Sequence, residues 1–228
     1  MRIIRTLYHC LIPQTMPDWA AQYYEKLIDG VSCFYLHSFC EKIMEKYPGP
    51  TRILDIGTGT GQLPIMLAKN NKNYKLTAID LSKKCLKIAQ SKADSAGVGS
   101  QVTFTCIDLL HDNWNIEPFD LIISTCSLHH WRRPESILTK ARQLLADNGE
   151  VWILDDFAGA SSEAKAKWIK KVEDACKPGW LFKTVFSFES KFLAYSHSEI
   201  SDLCERTGFS LSNFSARDVF FLAILACD

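Results

Sequence analysis

Short apolar runs alternate with amphipathic stretches through the middle of the chain. Arg52–Ile56, Lys75–Ile79, Gln101–Ile107, Phe119–Ser124 and Val151–Leu154 read as strands. Gln62–Asn70, Ser82–Ala96 and Pro134–Ala146 between them read as helices. Ser82 is a cap signal and Gly97 a stop signal, and Asp147-Asn148-Gly149 marks a turn. Strand–helix alternation of this kind predicts βαβ units and a parallel sheet covered on both faces. Residues 18–47 read as two helices split near Gly30. In the second, Val31, Tyr35, Phe39 and Ile43 recur every four residues. After the fifth strand the pattern changes. Ser161–Lys177 is an amphipathic, Lys-rich helix with Trp168, Ile169, Val172 and Cys176 inward. Pro178–Leu193 is aromatic and reads as irregular. His197–Thr207 is a helix stopped by Gly208, and Phe209–Ser215 and Val219–Ala226 form a closing hairpin.

Composition narrows the class. The 228 residues are 47% apolar, enough for one substantial core. Acidic and basic residues number 26 each, so the basic excess of a dedicated nucleic-acid binder is missing. Nine scattered cysteines without a C-x-x-C pair point to reduced thiols. The N-terminus carries no signal-peptide pattern and no run approaches the ~20 apolar residues of a membrane span. The expectation is a cytoplasmic protein.

The chemistry begins at Arg52–Gln62, RILDIGTGTGQ. A triphosphate loop needs a lysine that this stretch lacks. A dinucleotide fingerprint needs a small residue where Gln62 stands, and the last glycine falls one position early, at Gly61. The surrounding acids suggest another ligand. Asp80 ends the second strand, where a carboxylate can accept both ribose hydroxyls. Asp108 ends the third, where it could accept from an adenine amino group, and Asp55 could hold an ammonium. Carboxylates suit a cationic ligand better than a pyrophosphate. A ribose, an adenine and an ammonium together describe S-adenosylmethionine.

The ordered stretches ILDIGTGTG, LTAIDLS, CIDLL, FDLIISTCSLHHW and LLADNGEVWILDDF resemble the motifs of class I S-adenosylmethionine-dependent methyltransferases. The likeness is close over residues 51–157 and loose elsewhere. It is greatest for the ubiquinone/menaquinone-biosynthesis-like group, which methylates small molecules. The resemblance implies an α/β, Rossmann-like, doubly wound seven-stranded sheet, mostly parallel, in the order 3-2-1-4-5-7-6 with the seventh strand antiparallel. It implies one domain over 1–228: an N-terminal helical lid (1–50), a cofactor-binding core (51–157), a substrate-side insertion (158–196) and a closing helix with strands (197–228). It further implies that Asp55, Gly57, Thr58, Gly59 and Gly61 surround the methionine part of the cofactor. Asp80 and Leu81 then serve the ribose and adenine, Asp108 and Leu109 the adenine, and Ser124 and Thr125 the floor near the sulfonium. Tyr23 or Tyr24 would close over the cofactor.

Methyl transfer from a sulfonium is an in-line displacement that needs alignment and dryness more than a fixed base. His129 and His130, after the fourth strand, are the candidates for acid–base work, against a loop-capping alternative. Asp155 and Asp156 end the fifth strand and could bind a substrate or a metal, or serve as a helix cap and a solvated turn. Tyr195 and His197 could shape an acceptor pocket or simply pack and cap. Cys33, His37, Cys40 and Met44 share one helix face, a soft-metal pattern, although buried cysteine is ordinary. No metal is expected. Cys126 lacks the preceding proline of nucleophilic cytosine methyltransferases. Ser124-Thr125-Cys126-Ser127 stands where amino-methylating enzymes carry NPPY. The expected partner is a small or medium, partly apolar methyl acceptor, with no nucleic acid. The competing readings are a nicotinamide-dependent oxidoreductase, a non-catalytic cofactor binder and an RNA or protein methyltransferase.

Overall fold

The computed structural model describes residues 5, 7–9, 15, 21, 25, 33–175 and 179–227, apart from the side chains of 33, 175, 179–183 and 185. Seven strands form one sheet: β1 (Thr51–Ile56), β2 (Tyr74–Asp80), β3 (Val102–Cys106), β4 (Phe119–Thr125), β5 (Leu145–Asp156), β6 (Phe209–Arg217) and β7 (Phe220–Cys227). Their order is β3-β2-β1-β4-β5-β7-β6, with β7 antiparallel to both neighbours and the others parallel. The expected sheet is the observed one.

The helices among the described residues are α1 (Cys33–Lys46), α2 (Gln62–Asn70), α3 (Lys83–Ser95), α4 (Pro134–Leu144), α5 (Ser162–Ala175), α6 (Gly179–Phe192) and α7 (His197–Thr207). They cover both sheet faces, which is why the central strands are apolar on both sides rather than alternating. Ile53, Leu121, Ile123 and Trp152 face α1, α2 and α5 through Phe39, Ile43, Leu67, Trp168 and Val172. Leu54, Ile122, Val151 and Ile153 face α4 and α7 through Leu138, Ala141, Ile200 and Leu203. No helix among the described residues is long and apolar enough to cross a membrane.

Local signals act as expected at several ends. Ser82 caps α3 by accepting from Cys85 N, and Gly208 ends α7 at φ 72°; a reciprocal capping box of Ser196 and Glu199, which was not expected, starts α7. The β6–β7 turn is tighter than expected. The strands reach Arg217 and Phe220, and Asp218 takes φ 56° between them. Two readings need correction. Residues 179–192, read as irregular, are helical: Phe186, Ser190 and Leu193 are buried at helical spacing, a period hidden by the density of aromatics. β5 begins at Leu145, before its apolar run, because Leu145 pairs with Phe119 ahead of a register shift. Tyr23, Tyr24 and the first expected N-terminal helix lie outside the described residues. Of the expected lid, α1 is a core helix, with Leu36, Phe39 and Ile43 buried.

Candidate functional site

β1 lies between β2 and β4, so the chain winds outward in both directions from that pair. A crevice is expected outside the carboxyl ends of strands at such a reversal. The loop leaving β1 fills it. Gly57, Gly59 and Gly61 take φ of 77°, 54° and 79°, in the left-handed region that favours glycine. Gly57 N and Thr58 N donate to Ile79 O at 2.9 and 3.0 Å, which ties the loop to β2. Asp80 continues the tether, since its Oδ2 accepts from Gly59 N (2.9 Å) and its Oδ1 from Ser82 N (2.8 Å). Burial raises the Asp80 pKa, and the N–H groups of Ser82, Gly59 and Leu81 oppose that rise.

A cleft of about 290 Å3 opens beside this loop, lined by Gly57, Asp80, Leu81, Asp108 and Leu109 together with Ser127, His130 and Trp131. Five residues expected at the cofactor site thus come together. Thr58, Gly59 and Thr125 line a smaller recess of about 40 Å3 that shares Gly57 and includes Tyr35 and Cys126. Asp108 also closes a local turn, its Oδ1 accepting from Leu110 N at 2.9 Å.

Three expected residues stand back from the cleft. Ser124 spends its buried hydroxyl on Ile56 O at 3.0 Å. Gly61 gives close packing instead: a Cβ there would lie 2.8 Å from Ala89 Cβ and 3.0 Å from the Phe104 ring. Asp55 is 1% exposed, beneath the loop. Burial pushes its pKa up to about 7, against a lowering contact from Thr58, with Asp80 adding repulsion. Asp55 Oδ1 and Thr58 Oγ1 are both buried with no hydrogen bond of good geometry, to each other or elsewhere, although Thr58 stands close enough to lower the Asp55 pKa. Buried polar atoms are normally satisfied, so this pair marks a place for a polar ligand group.

On the far side of β4 lies a second cluster. His129 and His130 sit on a 3-10 turn, Leu128–His130. His129 is 3% exposed, and its Nδ1 lies 2.5 Å from Oδ1 of the fully buried Asp155. Burial alone would lower the His129 pKa. The Asp155 carboxylate outweighs it, helped by Glu189 and Asp156, and lifts the pKa to about 10. His129 is therefore protonated near neutrality and cannot serve as a free base. His130 differs. Burial of its ring, then the charges of His129 and His9, push its pKa well down. With 40% of the side chain still exposed, the neighbouring charge is the firmer cause. Its Nε2 lies 3.8 Å from Glu189 Oε1 on α6.

Asp156 is buried beside this pair, and burial followed by its charged neighbours places its pKa at about 7. Tyr195 is 4% exposed, with the Arg5 guanidinium 3.8 Å above its ring, so that face is taken. His197 is exposed at the start of α7, packed edge-on against Phe214, and lines neither the cleft nor the recess. The Cys33/His37/Cys40/Met44 stripe divides: Cys40 is buried and burial lifts its thiol to about 11, while His37 is exposed. The Cys33 side chain lies outside the described residues. Burial and then the Asp155 and Asp156 charges raise the Cys126 thiol well above its ordinary value, unlike a nucleophile.

Sequence reasoning missed Glu189, because its helix was hidden among aromatics, and Ser127 and Trp131, whose ring Nε1 donates to Ser127 Oγ at 2.9 Å. It also missed the exposed Arg132 and Arg133, which line the larger cleft. The run Trp131-Arg132-Arg133 was the available signal for the last three residues.

A seven-stranded doubly wound sheet with a glycine loop at its reversal and acids ending β2 and following β3 is the fold of class I S-adenosylmethionine-dependent methyltransferases. Residues 54–151, a little under half of the chain, match the Methyltransferase domain family. A release factor glutamine methyltransferase of Koribacter versatilis is 42% identical over 89 residues, covering 37% of this chain and 30% of that protein. A malonyl-[acyl-carrier protein] O-methyltransferase of Geobacter sulfurreducens is 31% identical over 100 residues, covering 44% and 36%. The chain thus spans about a third of the length of these two relatives. Among solved structures, an S-adenosyl-L-methionine-dependent methyltransferase of Aquifex aeolicus superposes with a TM-score of 0.64 at 17% identity, over 83% of this chain and 89% of that one.

Proposed function

We propose that the chain is an S-adenosylmethionine-dependent methyltransferase acting on a small or medium, partly apolar acceptor. The observation that carries the reading is the unpartnered, buried pair Asp55 Oδ1 and Thr58 Oγ1 under a left-handed glycine loop. A carboxylate there matches an ammonium group, and the bare backbone of Gly57 and Gly59 lets a ligand approach closely. Asp80 is assigned to the ribose hydroxyls, Leu81 and Leu109 to the adenine faces, and Asp108 to its amino edge. S-adenosylmethionine, when bound, supplies an electrophilic methyl on a sulfonium. The chain's own task is alignment and dryness: Thr125, Cys126 and Tyr35 bound the recess beside the loop. Acceptor walls are assigned to Tyr8, Phe188 and Phe192, whose rings follow one another at 5.6 and 5.0 Å. Residues 1–50 are proposed to act as the lid, with α1 as its core-packed base, and 158–196 as the acceptor side of a single domain.

A second reading, a protein side-chain acceptor, is favoured by the likeness to the release factor enzyme. Ser124–Ser127 in place of an NPPY signature speaks for the first. Calorimetric titration with S-adenosylhomocysteine, with NAD as the control, tests the core of the proposal. Binding of S-adenosylhomocysteine alone is expected, and binding of NAD alone would move the chain to the oxidoreductases. Turnover with small amines, phenols and carboxylates against a glutamine peptide then separates the two acceptor classes.

A further inference from the structure

We propose that His129, His130 and Glu189 form a binding site for one divalent transition-metal ion of the zinc, cobalt or nickel class, at the acceptor edge of the cleft. One donor atom from each residue lies within 4.8 Å of the other two. His129 is 3% exposed, yet its Nε2 is buried without a hydrogen-bond partner. Its other nitrogen is held 2.5 Å from Asp155. A carboxylate on Nδ1 fixes the ring and leaves the buried Nε2 as the nitrogen able to ligate, the arrangement usual for metal-ligating histidine. His130 and Glu189 leave each other unsatisfied, because 3.8 Å is too long for a hydrogen bond and leaves room for a bridging ion. The His129 and His130 rings lie 4.0 Å apart at 49°. Two imidazoles this close can both donate to one ion, which at His129 Nε2 would take the place of the proton that nitrogen otherwise holds.

The surroundings agree. Asp155 holds the far nitrogen of the His129 ring, and Asp156 is buried beside it. His9 is already engaged, with its Nε2 2.9 Å from the His129 carbonyl oxygen. Two imidazoles and one carboxylate select borderline transition metals over calcium and magnesium, which favour all-oxygen shells. Three protein ligands leave coordination positions free, and His130 also lines the larger cleft. An oxygen or nitrogen of the acceptor could occupy one of them, an assignment that rests on the methyl-transfer reading. The ion itself does not depend on that reading.

The test is titration of the whole chain with cobalt(II) chloride, read by visible d–d absorption and by metal content after desalting. One cobalt per chain is expected. His130→Asn and Glu189→Gln should each weaken it at least about tenfold, and Asp155→Asn by about 10–100-fold, as loss of an outer-shell carboxylate does. His37→Ala and His197→Ala, at exposed sites elsewhere, should leave it unchanged. Thermal melting without metal checks that each variant folds. In the wild-type chain, paramagnetic broadening should centre on Leu128–Trp131 and α6, a readout that needs no variant. No cobalt band, or one unmoved by His130→Asn and Glu189→Gln, would overturn the site. S-adenosylhomocysteine titrated into the same samples separates the two ideas: cobalt binding without it sinks the methyl-transfer reading and leaves the metal site standing.

Discussion

Asp55→Asn should make the protein more stable and a worse cofactor binder, and the gain should depend on pH. Asp55 is 1% exposed, and its pKa is raised from 3.8 to about 7 chiefly by burial. A group that holds its proton more tightly when folded adds stability that is complete below about pH 4. That stability is lost as pH rises through about 7, and is constant above. The difference between about 7 and 3.8, at about 1.4 kcal/mol per pH unit, comes to about 4 kcal/mol. This is a ceiling, because an amide buried at the same place must still satisfy its own NH2 group. Asparagine has the same shape and never carries the charge. Its advantage should therefore be near its maximum at pH 8 and vanish near pH 4. For a chain of this length each kcal/mol moves the melting temperature by about 2–4 °C. Melting of both proteins from pH 4 to 9, with and without S-adenosylhomocysteine, is the assay. The ligand should raise the wild-type melting temperature more than the variant's. A gap between the two proteins that does not change with pH, or a variant less stable at pH 8, would refute the reasoning.

Asp80→Ala removes the proposed acceptor for the ribose hydroxyls along with the tethers to Gly59 N and Ser82 N; since a ligand hydrogen bond to a charged group contributes roughly 1.5–3 kcal/mol, S-adenosylhomocysteine affinity measured by calorimetry should fall by at least about tenfold. Gly57→Ala puts a Cβ 2.0 Å from Ser127 Oγ at φ 77°. Cofactor binding should drop, and Ser127→Gly should restore part of it by removing both contacting atoms, Ser127 Oγ and Cβ, while leaving the backbone strain; no rescue in the double variant would show that the contact is not the cause. Thiol labelling read by mass spectrometry should modify the exposed Cys106 and Cys227 first, with the buried Cys40 and Cys204 protected. Early labelling of Cys204 would contradict its raised pKa of about 11.

Much of the fold was legible in the chain because its signals are local. Apolar runs of strand length separated by amphipathic helices dictate a parallel sheet. Ser82 and Gly208 mark helix ends through a hydrogen bond and a left-handed residue that involve only near neighbours. The glycine loop with Asp80 and Asp108 was readable for the same reason: parallel strands must release their carboxyl ends on one edge, so residues ending successive strands meet there. The placement of the histidines was not legible. Two identical neighbours in the chain receive opposite electrostatic roles, His129 held protonated by Asp155 and His130 kept neutral beside it. That split depends on β5 delivering Asp155 behind one ring and α6 delivering Glu189 near the other. Those partners lie 26 and 59 residues along the chain from the histidines they serve. Likewise Ser124 and Gly61 occupy motif positions, yet the fold turns one towards Ile56 and packs the other against Phe104. Periodicity and strand ends belong to the sequence, because backbone hydrogen bonding repeats at short range. Which titratable groups share a buried volume is decided only when distant strands and helices close over it, and burial with charge then sets what each group can do.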